Sequence, residues 1–240
     1  MCNRLPWRRR PGSGPLVFGH RGARARAPEN TLAAFELARA EGADGVELDV
    51  RLDGSGEVIV LHDRRLGERD VETLSSSELG RCDVPCLAEV LDWAKRRGQL
   101  VNVELKADVG NPRRLVARVA ALVARLPDPE ALVLLSSFHG GMVLDLARRL
   151  DRVPVAWLVR QRSWLTGSAA FCRSIGAVGI HPARDLVSPA RVHSWQARGL
   201  LVNVWTVNQP EAAHELDRMG VDGLVTDDPW NIVRVLGAAH

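Results

Sequence analysis

The chain has 240 residues, 46% of them hydrophobic and 25% charged, which is the composition of a soluble globular domain that can bury its own core. Its 32 basic and 29 acidic residues leave a net charge of +3 and are spread along the chain, so we predict no nucleic-acid binding. The longest apolar runs fall far short of the roughly 20 residues of a membrane span, so we predict no stable membrane insertion. The four cysteines have neither the spacing of a zinc site nor the density of a disulfide scaffold, which favours a cytoplasmic protein.

The N-terminal segment is expected to lie outside the folded domain. Residues 1–14 contain four arginines and lack the apolar stretch that follows the basic region of a signal peptide. We therefore predict a basic, flexible arm at residues 1–14 and one domain at residues 15–240.

Short apolar segments alternate along the chain with longer segments of helical periodicity. The predicted strands are Leu16–Phe18, Gly45–Val50, Val58–Leu61, Leu100–Leu105, Leu132–Leu135, Val153–Val159, Ala177–Ile180, Leu200–Val204 and Gly223–Val225. The predicted helices are Thr31–Glu41, Leu87–Arg97, Pro112–Arg125, Gly141–Leu150, Pro189–Arg198, Pro210–Met219 and Pro229–Leu236. This alternation predicts an α/β fold with a parallel sheet covered by helices. At this length a single-domain (β/α)8 TIM barrel fits best, and a doubly wound open sheet is the alternative.

One connection is too short for a parallel crossover, which takes about a dozen residues. Six residues separate Val50 from Glu57, so the two flanking strands are predicted to form an antiparallel hairpin. With the turn centred on Asp53–Gly56, Glu47 would lie opposite His62.

Acidic residues recur at alternate positions of two predicted strands. Glu47 and Asp49 share one face of their strand, and Glu104 and Lys106 share one face of the next parallel strand. Taken alone, these pairs could be a solvated strand face and a surface ion pair. In a barrel, however, helices cover the outer face, so the three carboxylates would converge at the C-terminal rim and need a cation. Oxygen ligands of this kind suit Mg²⁺ or Ca²⁺.

Two histidines stand at the ends of predicted strands. His20 and His62 each have a charged neighbour, and two imidazoles can divide general acid and general base work between them. The alternative is a structural role for each ring. His181, at the end of another strand, is compatible with either kind of role.

Two cationic side chains lie close to these groups. Arg21 follows His20, and Lys106 stands beside Glu104, where both could bind an anionic substrate. After them, either Asn30 or Thr31 is expected to cap the first helix, whose N-terminus would also favour an anion.

The chain resembles the glycerophosphodiester phosphodiesterase family through a set of segments in the family's order. They are Gly19-His20-Arg21-Gly22, Pro28-Glu29-Asn30-Thr31, Val46-Glu47-Leu48-Asp49-Val50, Val60-Leu61-His62-Asp63, Val103-Glu104-Leu105-Lys106, Ser136-Ser137-Phe138, Trp205-Thr206-Val207-Asn208 and Gly220-Val221-Asp222-Gly223-Leu224-Val225-Thr226-Asp227. Each segment alone is a weak signal, whereas the ordered set is specific and covers the chain from Leu16 to Pro229.

The resemblance implies a TIM-barrel hydrolase that cleaves glycerophosphodiesters, such as deacylated phospholipids, to sn-glycerol 3-phosphate and an alcohol. It implies a divalent cation, Mg²⁺ or Ca²⁺, held by Glu47, Asp49 and Glu104. The partner implied is a small-molecule glycerophosphodiester.

The same resemblance assigns roles to five other residues. His20 and His62 would form the acid/base pair, and Arg21 and Lys106 would bind the phosphate. Trp205 would form a wall of the substrate pocket, although a tryptophan that only fills the barrel mouth is an equal alternative.

Two other functions fit the sequence less well. A lysophospholipase D-type enzyme would act on acylated substrates and needs a lipid-accepting surface. A phosphate-ligand-binding barrel without catalysis has no need of paired histidines beside three carboxylates. The family often has asparagine where His181 stands, so the role of this histidine is left open.

Overall fold

The structure is a computed structural model and describes residues 6–161 and 168–237. Its strands are β1 (Leu16–His20), β2 (Gly45–Leu52), β3 (Val58–Val60), β4 (Arg65–Leu66), β5 (Arg69–Asp70), β6 (Leu100–Leu105), β7 (Val133–Ser137), β8 (Val155–Val159), β9 (Gly179–Pro182), β10 (Leu201–Val204) and β11 (Gly223–Thr226). Its helices are α1 (Leu32–Ala40), α2 (Ser76–Gly80), α3 (Leu87–Arg97), α4 (Pro112–Val123), α5 (Pro129–Leu132), α6 (Gly140–Arg149), α7 (Ala169–Ser174), α8 (Pro189–Gln196), α9 (Pro210–Arg218) and α10 (Pro229–Gly237).

Eight of these strands form a closed parallel barrel. The strands follow one another around the ring in the order β1, β2, β6, β7, β8, β9, β10 and β11, and β11 pairs with β1. Because β1 has a partner on both sides, the sheet has no free edge at this position, and the alternative of an open doubly wound sheet is excluded. The predicted (β/α)8 barrel is confirmed.

The alternation along each strand divides the core into two parts. On β2, the outward-facing Val46, Leu48 and Val50 belong to one hydrophobic cluster with Phe35 of α1 and Leu91 of α3. This cluster lies between the barrel and the helices. Because helices cover the outer face and other strands surround the inner face, every residue of β2 is buried.

The barrel interior changes from apolar to polar along its axis. The apolar part contains Trp7, Phe18, Leu134, Ala156, Leu201 and Val225. Phe18 fills the axis because its register partner Gly45 has no side chain, and a Cβ there would come within 2.7 Å of the Phe18 ring. Polar residues occupy the interior positions nearer the C-terminal strand ends, among them Asn102, Ser136 and Asn203. The polar chemistry is thereby confined to one end of the barrel.

The predicted hairpin forms, but its register differs from the prediction. Strands β2 and β3 are antiparallel with Val50 opposite Val60, which places Leu48 rather than Glu47 at the position matching His62. The predicted pairing of Glu47 with His62 is therefore wrong by one residue. The turn causes the difference. The Asp53 N–H donates to the Glu57 carbonyl oxygen, so the turn contains only the three residues between them, and opposite positions are shifted by one.

Several short elements were not predicted. Helices α2, α5 and α7 have six or fewer residues, too few to show a helical period, and β4 with β5 forms a two-residue ladder. These elements lie in loops between barrel strands. Within the described residues, no helix has the length and apolarity that a membrane span requires.

The N-terminal segment differs from the predicted flexible arm in the residues that the structure describes. Trp7 is fully buried, stacks on Phe18 with ring centroids 5.9 Å apart, and donates a hydrogen bond to the Glu130 carbonyl oxygen at 3.0 Å. Arg9 bonds to the carboxylate and carbonyl oxygens of Asp217, each at 3.0 Å. Residues 6–14 therefore close the end of the barrel where the strands begin.

This packing predicts a large stability effect for a residue outside the barrel strands. We expect Trp7→Ala to lower the free energy of unfolding by about 3 to 5 kcal/mol, because the substitution removes a fully buried ring and its stacking contact with Phe18. Urea denaturation would measure the change. Trp230→Ala is the matched control, since that ring is 47% exposed and should contribute little. Equal losses in the two variants would contradict the buried position of Trp7.

Candidate active site

A cavity of about 420 Å³ opens at the C-terminal ends of the barrel strands. Its lining combines cationic, acidic, imidazole and aromatic side chains from most of the strands. The lining residues are His20, Arg21, Glu47, His62, Asn102, Glu104, Lys106, Phe138, Leu158, Arg160, His181, Ala183, Asp185, Trp205 and Val225. All five predicted catalytic and substrate-binding residues line it.

The three carboxylates expected to converge do lie together. In the parallel register Asp49 is the partner of Glu104, and Glu47 precedes Asp49 by two residues on the same face. Glu47, Asp49 and Glu104 are all buried, and each has a carboxylate oxygen within 4.8 Å of one on the others. Neighbouring strands with inward acidic positions thus create a compact cluster of oxygen donors.

Two buried cations lie against this cluster. The ammonium of Lys106 is 2.7 Å from one oxygen of Asp49 and 2.7 Å from one of Glu104. The Arg21 Nε is 3.1 Å from the other Asp49 oxygen, an ion pair without hydrogen-bond geometry. Burial opposes ionisation of Asp49, but Lys106 and Arg21 outweigh it and lower the pKa of this carboxyl below its usual value.

The other two carboxylates have less compensation. Burial, followed by repulsion from Asp49 and Glu104, raises the pKa of Glu47 well above its usual value. Burial and the charge of Asp49 likewise raise the pKa of Glu104 to about 7. Three carboxylates face two cations here, so ionising all of them leaves an uncompensated negative charge. A cluster of buried oxygen donors with excess negative charge fits a hard divalent cation.

The loop after β1 holds this cluster through its backbone conformation. Arg21 and Asn30 both have positive φ, at 55° and 59°, although neither is glycine, a conformation that costs energy and is often found at functional sites. Asn30 donates from Nδ2 to Asp49 at 3.0 Å, while Thr31 accepts from the Ala34 N–H and caps α1. Of the two predicted capping residues, Thr31 is therefore the cap, and Asn30 orients a carboxylate instead.

His20 is oriented by a chain of polar residues that the sequence analysis did not assign. Its Nδ1 lies 2.6 Å from Asp227, and its Nε2 lies 4.0 Å from Glu47. Asn208 donates to the second Asp227 oxygen at 2.7 Å and accepts from the Asp227 N–H at 2.9 Å. Burial raises the pKa of Asp227, but the bonds from His20 and Asn208 outweigh it and lower that pKa. Both Asn208 and Asp227 stand in segments that resemble the family, and this was the signal in the sequence that could have identified them.

His62 has a different and more exposed support. Its Nδ1 lies 2.7 Å from Asp63, whose side chain is 76% exposed. Burial of the ring lowers the pKa of His62, because it disfavours the imidazolium more than the charge of Asp49 favours it. The lowered pKa of His62 favours the neutral ring over the imidazolium.

Aromatic side chains form one wall of the cavity. Trp205 donates its Nε1–H to the His181 carbonyl oxygen at 2.8 Å and meets Phe138 edge to face, with centroids 5.6 Å apart. The guanidinium of Arg160 lies 4.7 Å from the centre of the Phe138 ring. Phe138 and Arg160 follow β7 and β8 directly, and that position was the signal by which sequence reasoning could have found them.

His181 is a buried neutral ring at the floor of the cavity. It is 1% exposed, and its Nε2 lies 3.1 Å from the amide nitrogen of Asn203. Burial lowers the pKa of His181 to about 3. At neutral pH this residue is therefore uncharged and cannot donate a proton as an imidazolium.

Comparisons with known proteins agree on one family. The model of the glycerophosphoryl diester phosphodiesterase family matches residues 20–230. The Bacillus subtilis protein YqiK is 34% identical over 89% of this chain and 95% of its own. The glycerophosphodiester phosphodiesterase of Bacillus altitudinis is 30% identical over 91% of this chain and 97% of its own. The solved structure of a Silicibacter pomeroyi protein superposes with a TM-score of 0.83 at 27% identity and covers 97% of this chain and 96% of that one.

The buried ring of His181 predicts a specific acid sensitivity. Because the folded-state pKa of about 3 lies below the ordinary value of 6.5, the unfolded chain binds the extra proton between these values. The stability contribution is complete above pH 6.5 and is lost as the pH falls toward 3. Relative to His181→Asn, the wild-type free energy of unfolding should fall with an added slope approaching about 1.4 kcal/mol per pH unit. Denaturant titrations from pH 7 to pH 4 would measure it, and parallel curves would contradict a neutral buried ring.

Proposed function

The chain belongs to the glycerophosphoryl diester phosphodiesterase family, and on that premise we propose that its cavity hydrolyses glycerophosphodiesters to sn-glycerol 3-phosphate and an alcohol. One observation carries the proposal: two imidazoles, two cationic side chains and a cluster of three carboxylates meet at one cavity. The name of the Bacillus altitudinis relative supports the same reaction.

The phosphodiester binds beside the cationic side chains. Arg21 and Lys106 both line the cavity and supply positive charge for the phosphate oxygens. Burial does not remove these charges, because the facing carboxylates raise the pKa of Arg21 and of Lys106 above their ordinary values. Trp205, fixed by its bond to the His181 carbonyl, offers an apolar wall for the carbon atoms of the substrate.

Glu47, Asp49 and Glu104 would hold a divalent cation, Mg²⁺ or Ca²⁺. The support is the donor set itself, which is buried, made only of oxygen ligands and short of positive charge. When bound, the cation would polarise a phosphoryl oxygen and offset the charge that develops on it. Asn30 keeps Asp49 in place through two hydrogen bonds, one to the carboxylate at 3.0 Å and one from the Asp49 N–H at 3.3 Å.

His20 and His62 share the proton transfers. One ring accepts the proton of the attacking oxygen, which belongs either to water or to the C2 hydroxyl of the substrate, and the other ring donates a proton to the departing alcohol oxygen. Attack by the C2 hydroxyl leaves a cyclic phosphate, which water then opens to sn-glycerol 3-phosphate. Asp227 and Asp63 bond to the Nδ1 atoms of these rings, so the Nε2 atoms are left to face the substrate. The carboxylates of Asp227 and Asp63 also stabilise whichever ring becomes cationic during the reaction.

The first test is release of sn-glycerol 3-phosphate from glycerophosphocholine and glycerophosphoethanolamine, with added Mg²⁺ or Ca²⁺ and with a chelator. We expect turnover with a cation and none with the chelator. We expect Glu104→Gln to reduce turnover at a fixed cation concentration on the order of 10²-fold, which corresponds to about 2.7 kcal/mol of lost stabilisation. Glu211→Gln, on the exposed start of α9, is the control and should behave as wild type. Full turnover in the presence of chelator would overturn the role of the cation.

A second test addresses proton transfer. We expect His20→Ala to reduce kcat by about 10² to 10⁴-fold, because general acid or base catalysis is lost, with little effect on the unfolding midpoint. His193→Ala, at an exposed position of α8, serves as the control. Unchanged kcat together with a lower midpoint would make His20 a structural residue.

A further inference from the structure

The two histidines of the cavity differ in how their main chains are held. His20 is the last residue of β1 and lies within the barrel ladder, where its register partner is Glu47. His62 lies two residues beyond Val60, the end of β3, so no strand ladder fixes it. Some other contact has to hold the main chain of His62 at the cavity.

That contact comes from Arg51, near the end of β2. The Arg51 Nε donates a hydrogen bond to the carbonyl oxygen of His62 at 2.8 Å. Among the described residues, no other group forms a hydrogen bond with the main chain of His62. The guanidinium therefore links the barrel wall directly to the residue that carries the second imidazole.

The rest of the guanidinium is clamped by Asp108. Its NH2 group bonds to both Asp108 carboxylate oxygens, at 2.9 and 3.0 Å, and its NH1 group bonds to the Asp108 carbonyl oxygen at 3.2 Å. The Arg51 side chain is 4% exposed, whereas the Asp108 side chain is 63% exposed. Two nitrogens of the guanidinium are thus bonded to a single residue, which fixes the plane of the group and hence the direction of its Nε–H. Asp108 also lies two residues after Lys106, so the clamp joins the loops that carry His62 and Lys106.

We propose that Arg51 is a positioning residue for His62: it holds the main chain of this histidine at the distance from the cavity that proton transfer requires. The proposal rests on the function proposed above, since it assigns Arg51 an effect on catalysis through His62. Arg51 does not line the cavity and touches no reacting atom. A shift of about 1 Å in a reacting group can cost on the order of 10²-fold in rate, so loss of this single bond is expected to reduce turnover measurably.

The test compares Arg51→Met with Arg118→Met. Arg118 on α4 also bonds a backbone carbonyl and a carboxylate of the same hairpin, but at its turn, through Gly56 at 3.1 Å and Glu57 at 3.3 Å. We expect Arg51→Met to lower kcat by about 10- to 100-fold with KM nearly unchanged, and Arg118→Met to leave both unchanged. Equal kcat values for Arg51→Met and wild type would overturn the proposal.

A second comparison separates positioning from a general structural effect. In a His62→Ala background, Arg51→Met should cause no further loss of turnover, because the residue it acts through is already gone. Arg51→Lys keeps the charge and can reach the His62 carbonyl, so it should recover part of kcat. An Arg51→Met effect of the same size with and without His62 would overturn the proposal.

Two further measurements test the proposal if Arg51→Met folds poorly or if the wild type shows no turnover. If Arg51→Met folds poorly, Asp108→Ala replaces it as the test, because this substitution removes an exposed side chain that holds the guanidinium. Asp108→Ala should also lower kcat. The imidazole NMR signals of His62 should shift in Arg51→Met and stay in place in Arg118→Met, whether or not the protein turns over the substrate. A wild type without turnover would overturn the proposed function alone, whereas unmoved His62 signals would overturn the positioning role alone.

Discussion

The burial of three carboxylates at one end of a closed barrel is the constraint on which the rest of this site depends. Glu47, Asp49 and Glu104 have carboxylate oxygens within 4.8 Å of one another. Burying such charges away from water is costly unless cations compensate them. Lys106 and Arg21 supply two positive charges, both in contact with Asp49. Ionising all three carboxylates would leave one negative charge uncompensated, which is the basis of the divalent-cation site proposed above. The same burial of charge that disfavours folding therefore supports the proposed cation site.

The barrel tolerates this cost because the two ends are built differently. Phe18 and Trp7 fill and close the end where the strands begin, and the outward faces of the strands pack under the helices. Stability is supplied there and around the outside, away from the cavity. The C-terminal end can then carry the strained residues Arg21 and Asn30, both with positive φ, which place a guanidinium and an amide against Asp49. This separation of stability from chemistry is typical of TIM barrels.

The histidines illustrate two ways of positioning the same functional group. His20 is held by the ladder of its own strand and by an acid that Asn208 fixes in turn. His62 lies beyond its strand, with an exposed Asp63 beside the ring and the Arg51 guanidinium bound to its main chain. The first ring is supported by rigid elements of the barrel, and the second depends on one long side chain. Substitutions distant from the cavity are therefore expected to affect the two rings differently.

The sequence by itself determined the alternation of strands and helices, because periodicity and capping are properties of neighbouring residues. It favoured a barrel over an open sheet, but the closure of β11 on β1 is a property of the tertiary structure. It also placed Glu47, Asp49 and Glu104 on the inner face, since side chains of a strand alternate strictly. The hairpin register was missed by one residue because it depends on how Asp53 organises its turn.

Only the tertiary structure decided which groups support the predicted site. The partners of His20 and His62, Asp227 and Arg51, lie 207 and 11 residues away from them and meet them only when the ring of strands closes or a side chain crosses a hairpin. Trp7, assigned from its basic neighbours to a flexible arm, packs against Phe18 for the same reason. Local patterns specify which face a side chain takes, whereas its partner across the fold follows from the packing of distant segments, which no local period encodes.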